Sequence, residues 1–309
     1  MGQACDRRAI PELARESRWL TGDGHAVRRI DWPAPEGVRG SILFLPGRGD
    51  FYEKYLETLS HWHAQGWQVT ASDWRGQAGS GRLGRDAVTG HIDDFATWVE
   101  DLGTLWKQWQ TETPGPHILA GHSMGGHLVL RALAEQQVDP DGLLLSAPML
   151  GFTASLLPDV LMHQAAKVMK ALGDPRRPAW KWSEKPGEPP EARAHLLTHD
   201  ADRYADELWW REARPELVMG PGSWGWVERA YASMRGLFAG RQLEGVREPV
   251  LILATDNDKL VGYGATARAA ARLPNVQLIN YGKASHHEVL REVDAVRVPA
   301  LAAADAFLD

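Results

Sequence analysis

The sequence predicts an α/β protein with a mostly parallel, eight-stranded sheet covered by helices on both faces. Three observations carry this. Short β-rich apolar runs alternate with helical patterns along most of the chain. A Gly-x-Ser-x-Gly stretch, Gly121-His122-Ser123-Met124-Gly125, falls where one such run gives way to a helix. Between about 151 and 222 the alternation stops, and helical patterns stand without strands.

In chain order, "RWLTG" and "HAVRRIDW" read as an antiparallel hairpin. "SILFLP" is a buried strand bounded by Gly40 and Gly47. "FYEKYLETLSHWHAQG" follows as a helix with Tyr52, Tyr55, Leu56 and Leu59 on one face. "WQVTASD" is the next strand. In "DDFATWVEDLGTLWKQW" the apolar residues recur at steps of three and four, which predicts a helix. "HILAG" and "GLLLSAP" are strands separated by the helix "MGGHLVLRALAEQ". "SLLPDVLMHQAAKVMKALG" is amphipathic, with Leu157, Leu161, Ala165, Val168 and Leu172 in one stripe. The Pro-rich "EKPGEPPEA" reads as an exposed bend, and "ADRYADELWWREA" as a second helix. "PVLILAT" and "NVQLINY" complete the sheet, with "GATARAAARL" between them as a helix. "EVLREVDAVRVPALAAADAFL" reads as the terminal helix. The domain reading is therefore a core of 1–150 and 223–309, with 151–222 inserted after the sixth strand as a helical cap.

The chain has 309 residues, 44% of them hydrophobic and 24% charged, enough to bury a sizeable core. A net charge of −6 without a basic patch argues against nucleic acid as a partner. Cys5 is the sole cysteine, so no intrachain disulfide forms. The charged N-terminus lacks the apolar stretch of a secretory signal, and "MGQACD" departs from a myristoylation pattern at Asp6. A cytoplasmic protein is expected. Six of the fourteen tryptophans fall between 180 and 226. Core and lid packing accounts for them, and a greasy lid touching lipid or substrate is the alternative.

At a strand-to-helix junction, Gly-x-Ser-x-Gly predicts a sharp turn that lifts the Ser123 hydroxyl above the sheet at a helix N-terminus. A serine hydroxyl needs a base, so an acid and a histidine are expected downstream, in that order. "PVLILATDNDKLVG" offers Asp256 or Asp258 as the acid, and spacing does not choose between them. "SHHE" offers His286 or His287. If Ser285 N-caps the last helix with Glu288 completing a capping box, the two rings point about 100° apart. His286 then lies nearer the apolar face of Val289, Leu290, Val293 and Val296. That face looks toward the sheet rather than the elbow, so the choice stays open.

These motifs resemble the α/β-hydrolase superfamily, and within it the lysophospholipase and monoacylglycerol lipase-like group, which includes sequences labelled serine aminopeptidase. "GHSMGG" resembles that group's elbow, which implies Ser123 as nucleophile and the Met124 amide as one oxyanion donor. "LPGRGDFYEKY" resembles the loop after the third strand, usually His-Gly-x-x-Glu-His, with Pro46, Asp50 and Phe51 at the three named side chains. The Arg48 amide then falls at the second oxyanion position. "DWRGQAGSGR" resembles a supporting stretch, with Ala78 in place of a glycine. The family's acid precedes a pattern that "DKLV" fits, which implies Asp258, and "HEVL" implies His287. The resemblance implies a carboxylic ester hydrolase with a Ser-His-Asp triad and an acyl-enzyme, needing no metal or organic cofactor. Its expected substrate is a lysophospholipid or monoacylglycerol, with transient contact between cap and membrane surface. An amidase or peptidase on small hydrophobic amides is the alternative, and a non-catalytic binding protein on the same fold a remote one.

Overall fold

The computed structural model of the chain describes residues 5–153, 159–181 and 193–309. Residues 1–4, Leu157 of the expected stripe and the Pro-rich bend lie outside them. The strands are β1 (Arg15–Leu20), β2 (Ala26–Trp32), β3 (Gly40–Leu45), β4 (Trp67–Ser72), β5 (His117–His122), β6 (Gly142–Ser146), β7 (Val250–Ala254) and β8 (Val276–Asn280). They form one sheet in the order β1-β2-β4-β3-β5-β6-β7-β8. β2 pairs antiparallel with β1 and β4, and the other neighbours are parallel. The central strands read as unbroken apolar runs because helices cover both faces of a parallel sheet. Every residue of β3, β6 and β7 is buried.

The helices are α1 (Leu56–Ala64), α2 (Phe95–Glu112), α3 (Met124–Ala134), α4 (Asp159–Ala171), α5 (Ala194–Leu197), α6 (Ala201–Ala213), α7 (Trp224–Phe238), α8 (Gln242–Gly245), α9 (Tyr263–Ala270) and α10 (Asp294–Leu308). A 3-10 turn, Tyr52–Tyr55, leads into α1. Two apolar layers flank the sheet. Phe95, Trp98, Trp106 and Trp109 of α2 pack with α3 and α7 on one face. Tyr52, Tyr55, Leu56, Leu59 and Trp62 pack with α10 on the other. α4 through α8 lie between β6 and β7, where the described residues hold no strand.

One expectation changes. The terminal helix begins at Asp294 rather than at Glu288, and Ser285 does not cap it. Residues 285–293 form a loop holding only a short 3-10 turn, Val289–Arg291. The capping box fails because the Glu288 side chain is buried on Lys54 and Arg291 instead of returning to the Ser285 amide. For α4, the periodicity left the orientation open. Its stripe points outward, with Leu161 52%, Val168 57% and Leu172 63% exposed, while His163 and Ala166 face inward. The inward face carries the polar contacts: His163 and Lys170 both reach Glu228 of α7, at 3.3 Å and 2.8 Å.

Candidate active site

β3 and β5 pair in parallel with Leu45 opposite Gly121. That register sets the turn after β3, Pro46–Asp50, beside the elbow after β5. A Cβ on Gly47 would lie only 3.0 Å from the Ser123 Cβ. Ser123 has φ +52° and ψ −117°, a region that L-residues avoid. The strain is held by bonds on both sides. The Ser123 amide donates to Ser146 O at 2.9 Å, and its carbonyl accepts from His127 and Met149 at 3.0 Å and 2.9 Å. Gly125 allows the turn, because a Cβ there would collide with the Leu45 and Pro46 carbonyl oxygens.

The loops after β7 and β8 bring the partners in. His287 Nε2 lies 2.9 Å from Ser123 Oγ, and His287 Nδ1 lies 2.7 Å from Asp258 Oδ2. Asp258 Oδ1 accepts from the Leu260 and Val261 amides at 2.7 Å and 3.0 Å. Burial pushes the Asp258 carboxyl up, but the His287 ring and the two amides outweigh it and hold it below the ordinary carboxylate range. An ionised Asp258 only accepts, so Nδ1 carries the ring proton and Nε2 is left to accept from the Ser123 hydroxyl. Such a chain can take a proton from the hydroxyl as it attacks a carbonyl carbon.

The residues on the other side of each choice lie elsewhere. Asp256 is exposed and accepts from the Asn280 side chain at 3.0 Å. His286 stacks on His199, ring centroids 3.8 Å apart, and its amide donates to Glu292 at 2.7 Å. Met124 is the first residue of α3, where amides lack intrahelical acceptors. Arg48 sits in the facing turn, and both Arg48 and Ser123 line one narrow cavity with Leu197. The Arg48 side chain was not expected to matter. Its guanidinium lies 5.1 Å and 4.8 Å from the ring centres of Trp180 and Trp226, and donates to Gly220 O at 3.0 Å.

Sequence reasoning also missed a buried ionic cluster below the elbow, around Lys54. Its signal was an Asp50/Lys54 pair, i and i+4, inside an otherwise apolar stretch. Asp50, His122 and Glu288 bring three ligand atoms within 4.8 Å of one another, as a metal site would. The Lys54 ammonium already bridges Asp50 and Glu288, so the cluster has its cation. His122 packs against His287, centroids 4.8 Å apart. Burial and the neighbouring His287 depress His122 to about 3, and burial with Arg131 does the same for His127.

This sets a pH dependence of stability. Both rings are neutral when folded and take up protons on unfolding, so their contribution is complete above the unfolded value near 6.5. It is lost as pH falls toward 3. Between pH 7 and pH 5 the two together should remove about 4 kcal/mol. Urea unfolding at both pH values checks this, and His127→Asn should remove about half of the difference. Equal stability at pH 7 and pH 5 would contradict it.

A model of the family described as serine aminopeptidase, S33, matches residues 36–294. Lysophospholipase L2 of Escherichia coli (strain K12) is 30% identical over 308 residues, covering 93% of this chain and 85% of that protein. A monoacylglycerol lipase of Mycolicibacterium smegmatis is 25% identical over 264 residues, 84% of this chain and 85% of that one. A soluble variant of monoglyceride lipase from Saccharomyces cerevisiae, solved with a substrate analog, superposes with a TM-score of 0.75 at 18% identity. That match covers 99% of this chain and 98% of the other, and speaks for a shared fold.

Proposed function

The chain belongs to the serine aminopeptidase family of α/β-hydrolases and is a carboxylic ester hydrolase; on that premise we propose that it cleaves the single acyl ester of a lysophospholipid or monoacylglycerol through Ser123, His287 and Asp258. The observation that carries the reading is the 2.9 Å approach of His287 Nε2 to a Ser123 held at positive φ. Ser123 attacks the ester carbonyl while His287 takes its proton. The oxyanion is met by the Arg48 and Met124 amides, and His287 returns the proton to the leaving alcohol. Water, activated by the same ring, then releases the acyl group. Asp258 keeps the imidazole in the right tautomer and stabilises its charged form.

The substrate class rests on the relatives' names and on the helical cap we assign to 151–222. That cap supplies the Leu197 side chain to the cavity at Ser123, sets the Trp180 ring against the Arg48 guanidinium, and turns the apolar stripe of α4 outward. An outward stripe beside the exposed Lys167 suits transient contact with a membrane surface. No helix among the described residues is long and apolar enough to cross one. The lone cysteine suits the cytoplasm as the working compartment.

A panel of lysophosphatidylcholines, monoacylglycerols and aminoacyl anilides tests the substrate. The lipids should be hydrolysed at least about tenfold faster in kcat/KM than any anilide, a difference of about 1.4 kcal/mol. The rate should rise further when the lipid is offered in vesicles. Anilides preferred over all lipids would replace this reading with an amidase.

A further inference from the structure

Lys54, in the 3-10 turn before α1, is nearly sealed from solvent, and its ammonium meets three carboxylates. Asp50 lies at 2.8 Å, Glu207 at 2.8 Å and Glu288 at 2.7 Å. Each carboxylate belongs to a different part of the site. Asp50 closes the turn that carries Arg48, its Oδ2 accepting from the Gly47 amide at 3.4 Å and from the Tyr55 hydroxyl at 2.8 Å. Glu288 is the next residue after His287. Glu207 comes from α6, among the helices between β6 and β7.

The segment around α5 and α6 reaches the same two loops by other bonds. Arg211, one turn beyond Glu207 and 3.0 Å from it, donates to Gly49 O at 3.4 Å. The Leu196 and Leu197 carbonyls accept from the His287 and Glu288 amides at 3.4 Å and 2.8 Å. Burial pushes the Glu207 carboxyl up, but Lys54, Arg211 and Arg193 outweigh it and hold it well below the ordinary range. It is therefore a fixed negative charge in a dry site, where an uncompensated cation would be expensive. Taking it away leaves the Lys54 ammonium to be shared by Asp50 and Glu288 alone and also takes the carboxylate from Arg193 and Arg211, so both loops can shift.

We propose that Glu207 is a positioning residue for the hydrolysis, acting through Lys54 to hold the Arg48 turn and the His287 loop in register with Ser123. It touches no reacting atom, and it rests on the reading of Ser123, His287 and Arg48 given above. Misplacement of such groups by about 1 Å is enough to cost on the order of 100-fold in rate.

A double-mutant cycle on the full chain tests it, with kcat, KM and the thermal midpoint read for Glu207→Gln, Lys54→Met and the pair, on a short p-nitrophenyl ester. Glu207→Gln should lower kcat by roughly 10- to 100-fold and leave KM within about threefold. Adding it to Lys54→Met should lower kcat by clearly less than it does alone, since the Lys54 link is already cut and only the path through Arg211 to Gly49 remains. Glu207→Asp, which keeps the charge, should recover at least about threefold in kcat over Glu207→Gln. A role in folding alone would lower the midpoint and leave kcat of the folded fraction unchanged. That result, or fully additive losses in the pair, would overturn the proposal. Where Gln or Met variants do not fold, Glu207→Asp with Lys54→Arg carries the same cycle with charges retained. An inactive wild type, or activity surviving in Ser123→Ala, would instead strike the catalytic reading itself.

Discussion

Ser123→Ala is expected to lower kcat on a short p-nitrophenyl ester by on the order of 10⁴-fold or more, about 5 kcal/mol of transition-state stabilisation. The hydroxyl is the only group removed, and with it the proposed covalent step. What remains is the proposed pair of backbone donors at Arg48 and Met124 and whatever the pocket contributes by binding. The fold should scarcely notice. Alanine keeps the Cβ, so the strained φ of +52° is neither relieved nor worsened. The Ser123 amide and carbonyl bonds to Ser146, His127 and Met149 do not involve the side chain. The thermal midpoint should therefore move by less than a few degrees. Mass spectrometry after a fluorophosphonate probe gives the matching readout: one adduct on the wild-type chain and none on the variant. Turnover close to wild type in a folded Ser123→Ala, or labelling that persists in it, would remove Ser123 from the chemistry.

Why the elbow was legible and its surroundings less so follows from what each depends on. The elbow is local: a buried strand, glycines two residues either side of Ser123 and a helical period beginning at Met124 all lie within a dozen residues. The sheet was legible for a related reason, since strands covered on both faces become continuous apolar runs. The segment 285–293 failed because its local signal and its tertiary partners disagree. Ser285 and Glu288 have the spacing of a capping box, but Lys54, more than 200 residues away in the chain, claims Glu288 at 2.7 Å. A buried charge that needs a counter-ion outweighs a cap bond of about 1 kcal/mol. The orientation of the stripe on α4 was not legible for a related reason. Amphipathic periodicity shows that a helix has two faces, and it does not show which one meets the protein. Here the polar face, through His163 and Lys170, meets Glu228. The Asp256/Asp258 and His286/His287 choices could be made only by family likeness, because adjacent loop residues have no periodicity to separate them. In the fold, Asp258 and His287 are the pair that meet, at 2.7 Å.

The two neighbouring histidines give the second large effect. His287→Ala should lower kcat by on the order of 10⁴-fold, since the Ser123 hydroxyl then lacks an acceptor for its proton at Nε2. His286→Ala should cost less than about tenfold. Its ring lies flat against His199 with 16° between the planes, and the bond it gives to Glu292 at 2.7 Å comes from the backbone amide, which alanine keeps. The loss expected there is the stacking contact with the segment between α5 and α6, a small effect on how firmly the loop is seated. Two further variants separate the roles of the partners. Asp258→Asn leaves a neutral acceptor and donor in place of the carboxylate, so the imidazole can turn to the wrong tautomer. Its cost should approach that of His287→Ala. Asp256→Asn, at an exposed position bonded to Asn280, should leave kcat within about twofold of wild type. The four measurements form one ranking, with His287 and Asp258 far below His286 and Asp256. A folded His287→Ala that keeps its rate while His286→Ala loses it would mean that the loop rearranges when substrate binds. In that case the ring now stacked on His199 would be the base.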